Sequence, residues 1–227
     1  MFLALDAVLD ADELKTIRAL LDAAAFRDGR ETAGQAAAKV KHNMQADPAD
    51  PRTRDAKRMI EAALDRNTVF RAAARPARLT RLLVSRSREG DGYGPHIDDA
   101  IMRSHGAAGT DAVRADVAFT VFLSPPEDYE GGALVVEGAD GERAYRLPAG
   151  AAVIYPATTL HRVETVTRGE RLVAAGWVQS LVRAPDQREI LFDLERALRD
   201  AERAGADAAA TLLRKSLSNL LRMWAEV

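Results

Sequence analysis

Apolar positions recur at helical spacing early in the chain, alternate through its middle and return to helical spacing at its end. Leu14, Ile17, Leu20, Leu21 and Ala24 share one face of a helix predicted over residues 10–25. Asp10 followed by Glu13 has the form of a capping box at its start. Residues 26–46 lose that periodicity and hold Gly29, Gly34 and the polar run Lys41-His42-Asn43-Met44-Gln45, a loop or short strand that is either a solvated connector or the border of a site. Asp47-Pro48 and Asp50-Pro51 mark a turn and a helix start. The helix they open runs to about residue 65, with Met59, Ile60, Ala63 and Leu64 inward, and a short helix over 69–74 stops before Pro76.

From residue 79 to about 182 the pattern is that of strands. They are predicted over 79–86, through the Gly-rich turn and the His96 stretch, over 113–124, 133–137, 143–147, 151–155, 159–166 and 171–182, with a loop over 101–112. In the long strand over 113–124, Val117, Phe119, Val121 and Leu123 share a face, and Pro125-Pro126 ends it. Gly138-Ala139-Asp140-Gly141 reads as a hairpin turn, and Thr167-Arg168-Gly169-Glu170 as another turn. Seven or eight short strands with regular turns, and no helices alternating with them, predict a sandwich or barrel rather than a parallel sheet. After Pro185 the period is again helical. Asp186 with Glu189 resembles a capping box, and Ile190, Leu191, Leu194 and Leu198 face inward. Gly205 breaks the pattern, and Leu212, Leu213, Leu217, Leu220, Leu221 and Trp224 form a last stripe. That stripe must be covered, by the strand region or by a second copy in a homo-oligomer. The division expected is a domain over 1–182, with helical support over 1–78 and a strand core over 79–182, followed by a helical extension over 183–227.

Composition narrows the chemistry. The 227 residues carry 32 basic and 34 acidic side chains with no long single-sign block, which disfavours a nucleic-acid partner. There is no cysteine, so thiolate nucleophiles, disulfides and iron–sulfur clusters are excluded and any metal must sit on nitrogen and oxygen. The N-terminus lacks a basic region and is interrupted by Asp6, Asp10 and Asp12, unlike a signal peptide. No apolar run approaches the ~20 residues of a membrane span. A cytoplasmic protein without membrane partners is expected.

The chain has four histidines: His42, His96, His105 and His161. His42 and His105 sit in polar, loop-like segments. His96 and Asp98 stand two apart, as residues on one face of an extended strand do, and His161 lies in a strand pattern of the same region. Asp99 would face the other side. Two histidines and a carboxylate suit iron(II) with open positions, and equally zinc in a hydrolase. Arg171 follows His161 after a predicted strand and turn, on what is expected to be the neighbouring antiparallel strand, where its planar fork can grip a carboxylate; Arg168, within the turn, competes for that role.

With these residues the chain resembles the PKHD-type hydroxylases of the iron(II)- and 2-oxoglutarate-dependent dioxygenases. The resemblance runs through Thr32-Ala33-Gly34-Gln35-Ala36, Lys41-His42-Asn43-Met44-Gln45, Gly94-Pro95-His96-Ile97-Asp98-Asp99-Ala100, Tyr129-Glu130-Gly131-Gly132, Leu160-His161-Arg162-Val163, Arg171, Gly176-Trp177-Val178-Gln179-Ser180 and Asn219-Leu220-Leu221-Arg222-Met223-Trp224. It implies a double-stranded β-helix, a mainly β jelly-roll with flanking helices. It implies iron(II) on His96, Asp98 and His161, and 2-oxoglutarate on Arg171. It also implies O₂ as co-substrate, ascorbate as an accessory, and hydroxylation of a C–H bond with release of succinate and CO₂. A carboxylate at position 98 favours hydroxylation over halogenation. The substrate class it implies is peptidyl or a small molecule, including one linked to iron uptake. Asn43, Gln45 and Arg114 are candidates for lining the entrance. Two other readings of the same residues are a non-oxidative, cupin-like metal enzyme and a module that senses iron or 2-oxoglutarate.

Overall fold

The computed structural model describes residues 1–32, 39–103 and 112–226. Eight strands make its centre: β1 (Leu83–Arg88), β2 (Gly92–His96), β3 (Val117–Phe122), β4 (Leu134–Gly138), β5 (Gly141–Tyr145), β6 (Ala152–Pro156), β7 (His161–Val163) and β8 (Val166–Ser180). All pair antiparallel. One sheet holds β6-β3-β8-β1, extended at one edge by Leu3–Leu5 and at the other by Met44–Ala46 and Phe26–Asp28. The facing sheet runs β5-β4-β7-β2 and ends on Lys41–His42. This is the jelly-roll that the family resemblance implies, a form of the sandwich or barrel that the strand spacing predicts.

Alternation assigns each strand two faces. Val117, Phe119 and Val121 of β3 and Leu123 just after it, with Leu172, Ala174 and Val178 of β8, join the cluster under the helices. Ala118, Phe122 and Val173 turn the other way, into the space between the sheets. The helical layer is α1 (Ala11–Asp22), α2 (Pro51–Arg66) and α3 (Thr68–Ala74). The Asp10 carboxylate accepts from the Glu13 N–H, and Glu13 accepts from the Asp10 N–H, so the predicted capping box is formed. Ile17 and Leu21 from α1 and Ile60, Ala63 and Leu64 from α2 are buried against the larger sheet. Two helices close the chain, α4 (Pro185–Arg203) and α5 (Asp207–Trp224). They pack on each other through Leu191, Leu194, Leu198, Leu217, Leu220, Leu221 and Trp224, which covers most of the last stripe, while Leu212 stays 63% exposed.

Several boundaries differ from the pattern. The strand expected over 79–86 divides into Pro76–Leu79 and β1. The interval stays attached to β8, because the Thr80 N–H donates to the Trp177 carbonyl and its hydroxyl accepts from the Trp177 N–H. The loop expected over 101–112 begins and ends in short strands, Ile101–Arg103 paired with Ala112–Arg114, so the long strand predicted from 113 starts in a different sheet from β3. The described part of residues 26–46 contributes three short strands, Phe26–Asp28, Lys41–His42 and Met44–Ala46, so the short-strand alternative holds there. The Asp186–Glu189 box does not form: Ala184 occupies the cap position without a side-chain bond, and Pro185 opens the helix. The turn predicted over 167–170 lies inside β8, and the chain instead crosses between the sheets at residues 164–165. Gly169 shows why the signal misled. Its φ of +79° and an Asp128 carbonyl 2.0 Å from any added Cβ demand glycine within a continuous strand.

Candidate metal centre

β2 ends on His96 and β7 begins on His161, and the two residues are register partners across the smaller sheet. Their ring centroids lie 4.2 Å apart. Asp98 stands two residues beyond the end of β2, outside the strand itself. Its Oδ1 is 3.6 Å from His161 Nε2. One ligand atom from each of His96, Asp98 and His161 falls within 4.8 Å of the others, the one such group among the described residues.

The hydrogen bonds around this trio prepare it for a cation. His96 Nδ1–H donates to the Gly94 carbonyl at 2.8 Å and His161 Nδ1–H to the Thr159 carbonyl at 2.9 Å. Each bond fixes the tautomer and leaves Nε2 with its lone pair turned inward. Burial first, then the neighbouring His161, push His96 down to about 4, so it is neutral near pH 7. Tyr93 stacks on the His96 ring at 3.5 Å between centroids. Burial raises Asp98 above the usual carboxylate range, against opposing pulls from His161 and the Trp177 indole. Asp98 Oδ2 and Trp177 Nε1 are both buried without a well-formed hydrogen bond. A buried carboxylate oxygen without a partner, beside two inward imidazole nitrogens, fits a divalent ion with N and O preferences.

These residues open into a cavity of about 140 Å³ between the sheets. Strand β8 supplies one wall through Arg171, Val173, Ala175 and Trp177. Arg171 therefore lies not on the neighbour of the His161 strand, as the sequence pattern predicts, but across the cavity in the opposite sheet. It is 3% exposed, its Nε has no hydrogen bond, and no described carboxylate pairs with it. Burial depresses its pKa, while Tyr129 and Tyr155 nearby act in the other direction. Arg168, its competitor, is 62% exposed and paired with Glu130 at the surface.

Asn43 and Gln45 line the cavity, and the Asn43 amide donates to Ser85 Oγ. Arg114 does not line it: its guanidinium pairs with Asp116 at 2.7 Å and Glu226 at 2.9 Å. Asp99 reaches the lining but is not in the ligand group. His42 is exposed, and His105 lies outside the described residues. Lys41, Tyr93, Tyr155 and Trp177 also form the walls. Trp177 was within reach of the sequence, since it shares the inward period-two register of Arg171, Val173 and Ala175.

A PKHD-type hydroxylase of Synechococcus elongatus is 47% identical over 227 residues, covering all of both chains. The chain belongs to the PKHD-type hydroxylases. A second such hydroxylase, from Parvibaculum lavamentivorans, is 48% identical over 229 residues, again with full coverage of both. The profile of the 2OG-Fe(II) oxygenase superfamily matches residues 82–179, the interval that carries all three potential ligands and Arg171. In fold, the chain is similar to a Trichoplax adhaerens prolyl hydroxylase in complex with a hypoxia inducible factor peptide fragment. The TM-score is 0.60 at 16% identity, over 79% of this chain and 83% of that one. The protein is thus an enzyme, a hydroxylase of the 2OG-Fe(II) oxygenase superfamily, whose members use iron(II), 2-oxoglutarate and O₂. This sets aside the non-oxidative and purely sensory readings. Among the described residues no helix is long and apolar enough to cross a membrane.

Proposed function

We propose that this hydroxylase inserts oxygen into an unactivated C–H bond of a peptidyl or amino-acid-like substrate while converting 2-oxoglutarate to succinate and CO₂. The observation that carries the reading is the convergence of His96, Asp98 and His161 on one side of a cavity whose opposite wall holds a buried guanidinium lacking a carboxylate. His96, Asp98 and His161 would hold iron(II), and Arg171 would take the far carboxylate of 2-oxoglutarate. Iron(II) held there would supply the activation of O₂ against the 2-oxo acid.

The chain's own residues do the rest. The Gly94 and Thr159 carbonyls keep both imidazoles in the ligating tautomer. Tyr93 and Trp177 limit water around the ligands, and the neutral wall of Ala118, Leu134 and Val173 keeps the cavity interior apolar. Asp98 fills the place that a chloride would need in a halogenase, which favours hydroxylation. Asn43 and Gln45, which line the cavity, would orient the substrate; Arg114 would act only from the periphery. Ile97 lines the mouth and remains 58% exposed, which suits an apolar neighbour of the reacting group. Ascorbate would serve as an accessory reductant for the iron.

The test is succinate formation from 2-oxoglutarate by iron(II)-loaded protein, with candidate peptides and amino-acid derivatives screened for acceleration. Succinate should appear with wild type and be lost with His96→Ala or Asp98→Ala. Full succinate formation by Asp98→Ala would overturn the ligand assignment.

A further inference from the structure

Asp98 is the potential ligand that no strand holds. Residues 97–100 lie between β2 and the short strand Ile101–Arg103, so the ladder that pairs His96 with His161 does not extend to it. Its supports come from elsewhere, and both return to residues 114–116. On its own chain, the Ala100 carbonyl, two residues on, accepts from the Ala115 N–H at 2.9 Å. Across the cavity, the Trp177 indole favours the charged form of Asp98. The strand around Trp177 is in turn tied to Asp116. The Asp116 N–H donates to the Val178 carbonyl at 3.0 Å, and Asp116 Oδ2 accepts from the Ser180 N–H at 2.9 Å.

Arg114 closes this segment. Its guanidinium meets the Asp116 carboxylate with two donors, at 2.7 Å and 3.1 Å, and so spans Ala115. The Arg114 N–H donates to the Gln179 side-chain oxygen at 3.2 Å, a further tie to β8. The Asp116 side chain is 7% exposed, whereas Glu226, the other carboxylate on Arg114, is 51% exposed. A two-donor pair with a buried carboxylate fixes geometry as well as charge, while an exposed ion pair contributes little. Neither Arg114 nor Asp116 lines the catalytic cavity.

We infer that Arg114 and Asp116 are positioning residues for the metal centre. Acting as one clamp, they hold the Asp98 segment and the Trp177 strand in fixed relation and so set how tightly the centre binds a divalent ion. A carboxylate on a loose segment must lose its freedom when it ligates; one already ordered has lost it beforehand. The inference rests on the reading of His96, Asp98 and His161 as the ligands, and it gives Arg114 a part other than substrate contact at the entrance.

Manganese(II) titrations of the full chain, read from the electron paramagnetic resonance of the free ion, test this without 2-oxoglutarate or turnover. Wild type should bind the ion and His96→Ala should lose it. Asp116→Asn keeps the side-chain volume and the acceptor for Ser180 but turns an amide toward Arg114. Its dissociation constant should rise about tenfold. Arg114→Met should match it, and the double variant should lose no more than either single one, because the two side chains act as a unit. Arg114→Lys, which keeps the charge and one donor, should recover part of the loss. Ile60→Val, in the helical layer, should lower the melting temperature and leave the affinity as it was. Binding that survives in His96→Ala would overturn the ligand reading and this inference with it. Wild-type affinity in both Asp116→Asn and Arg114→Met, or an equal loss in Ile60→Val, would overturn the inference alone.

Discussion

Arg171 sits in the interior as a cation whose nearest polar companions are tyrosines, and this defines what its replacement should do. Gly132 leaves room for it: a Cβ there would lie 3.1 Å from Arg171 Cδ. Arg171→Lys keeps the charge but loses the fork and its two parallel donors. Binding of 2-oxoglutarate, measured anaerobically by calorimetry, should weaken by about 1–3 kcal/mol. Unchanged affinity in both Arg171→Lys and Arg171→Ala would remove this residue from the site. Trp177 acts at one remove. Its indole N–H favours the charged form of Asp98, so Trp177→Phe keeps a ring in place while deleting that support. Metal affinity, read by chelator competition, should fall about tenfold, as for other partners of metal ligands. A packing role alone would lower the melting temperature and leave the metal affinity as it was.

At the scale of elements, α2 carries a feature that its amphipathic pattern hides. Its inward face includes Lys57 beside Ile60, Ala63 and Leu64. Lys57 and, on an edge strand of the smaller sheet, Lys41 are each brought down to about 8 by burial. Unfolded lysines keep their protons to about 10.5, so between about pH 8 and pH 10 the unfolded chain binds more protons than the native one. Stability should therefore rise with pH across that window, by at most about 1.4 kcal/mol per unit for each lysine. Above it, Tyr93, raised to about 12, reverses the slope, because the unfolded tyrosine releases its proton first. Urea midpoints at the two ends of the window should show a smaller rise in Lys57→Met than in wild type. Equal slopes would mean that Lys57 titrates normally in the folded protein. The strands behave differently from the helices. β8 performs two tasks along one run, with Leu172, Ala174 and Val178 under the helices and Arg171, Val173 and Trp177 in the cavity.

At the scale of the whole molecule, the proposed ligands come from the end of β2, the turn beyond it and the start of β7, so an ion would tie separate parts of the smaller sheet together. Manganese(II) at a hundredfold excess over its Kd should stabilise the fold by ~2.7 kcal/mol, with a corresponding rise in melting temperature. His161→Ala should abolish that rise. A shift that persists in His161→Ala would place the binding elsewhere.

The sequence by itself determined a good deal of this protein. Helical and alternating periodicities separated the helical layers from the strand core, because burial of one face imposes its period on the chain. The scarcity of histidine and the absence of cysteine reduced the metal question to His96, Asp98 and His161, and a local signal, the Asp10–Glu13 box, was legible because both partners lie within one turn. Tertiary structure decided the rest. Gly169 reads locally as a turn, yet close approach of the Asp128 backbone keeps it inside β8. Arg171 and His161 are neighbours in sequence but occupy opposite sheets, since the crossing at residues 164–165 depends on which strands pair at long range. Arg114 looks free in the sequence and is taken by Asp116 and Glu226, the latter more than a hundred residues away. Lys57 reads as one more polar position on a helix; only the packing of α2 against the sheet makes it a buried cation beside a cavity.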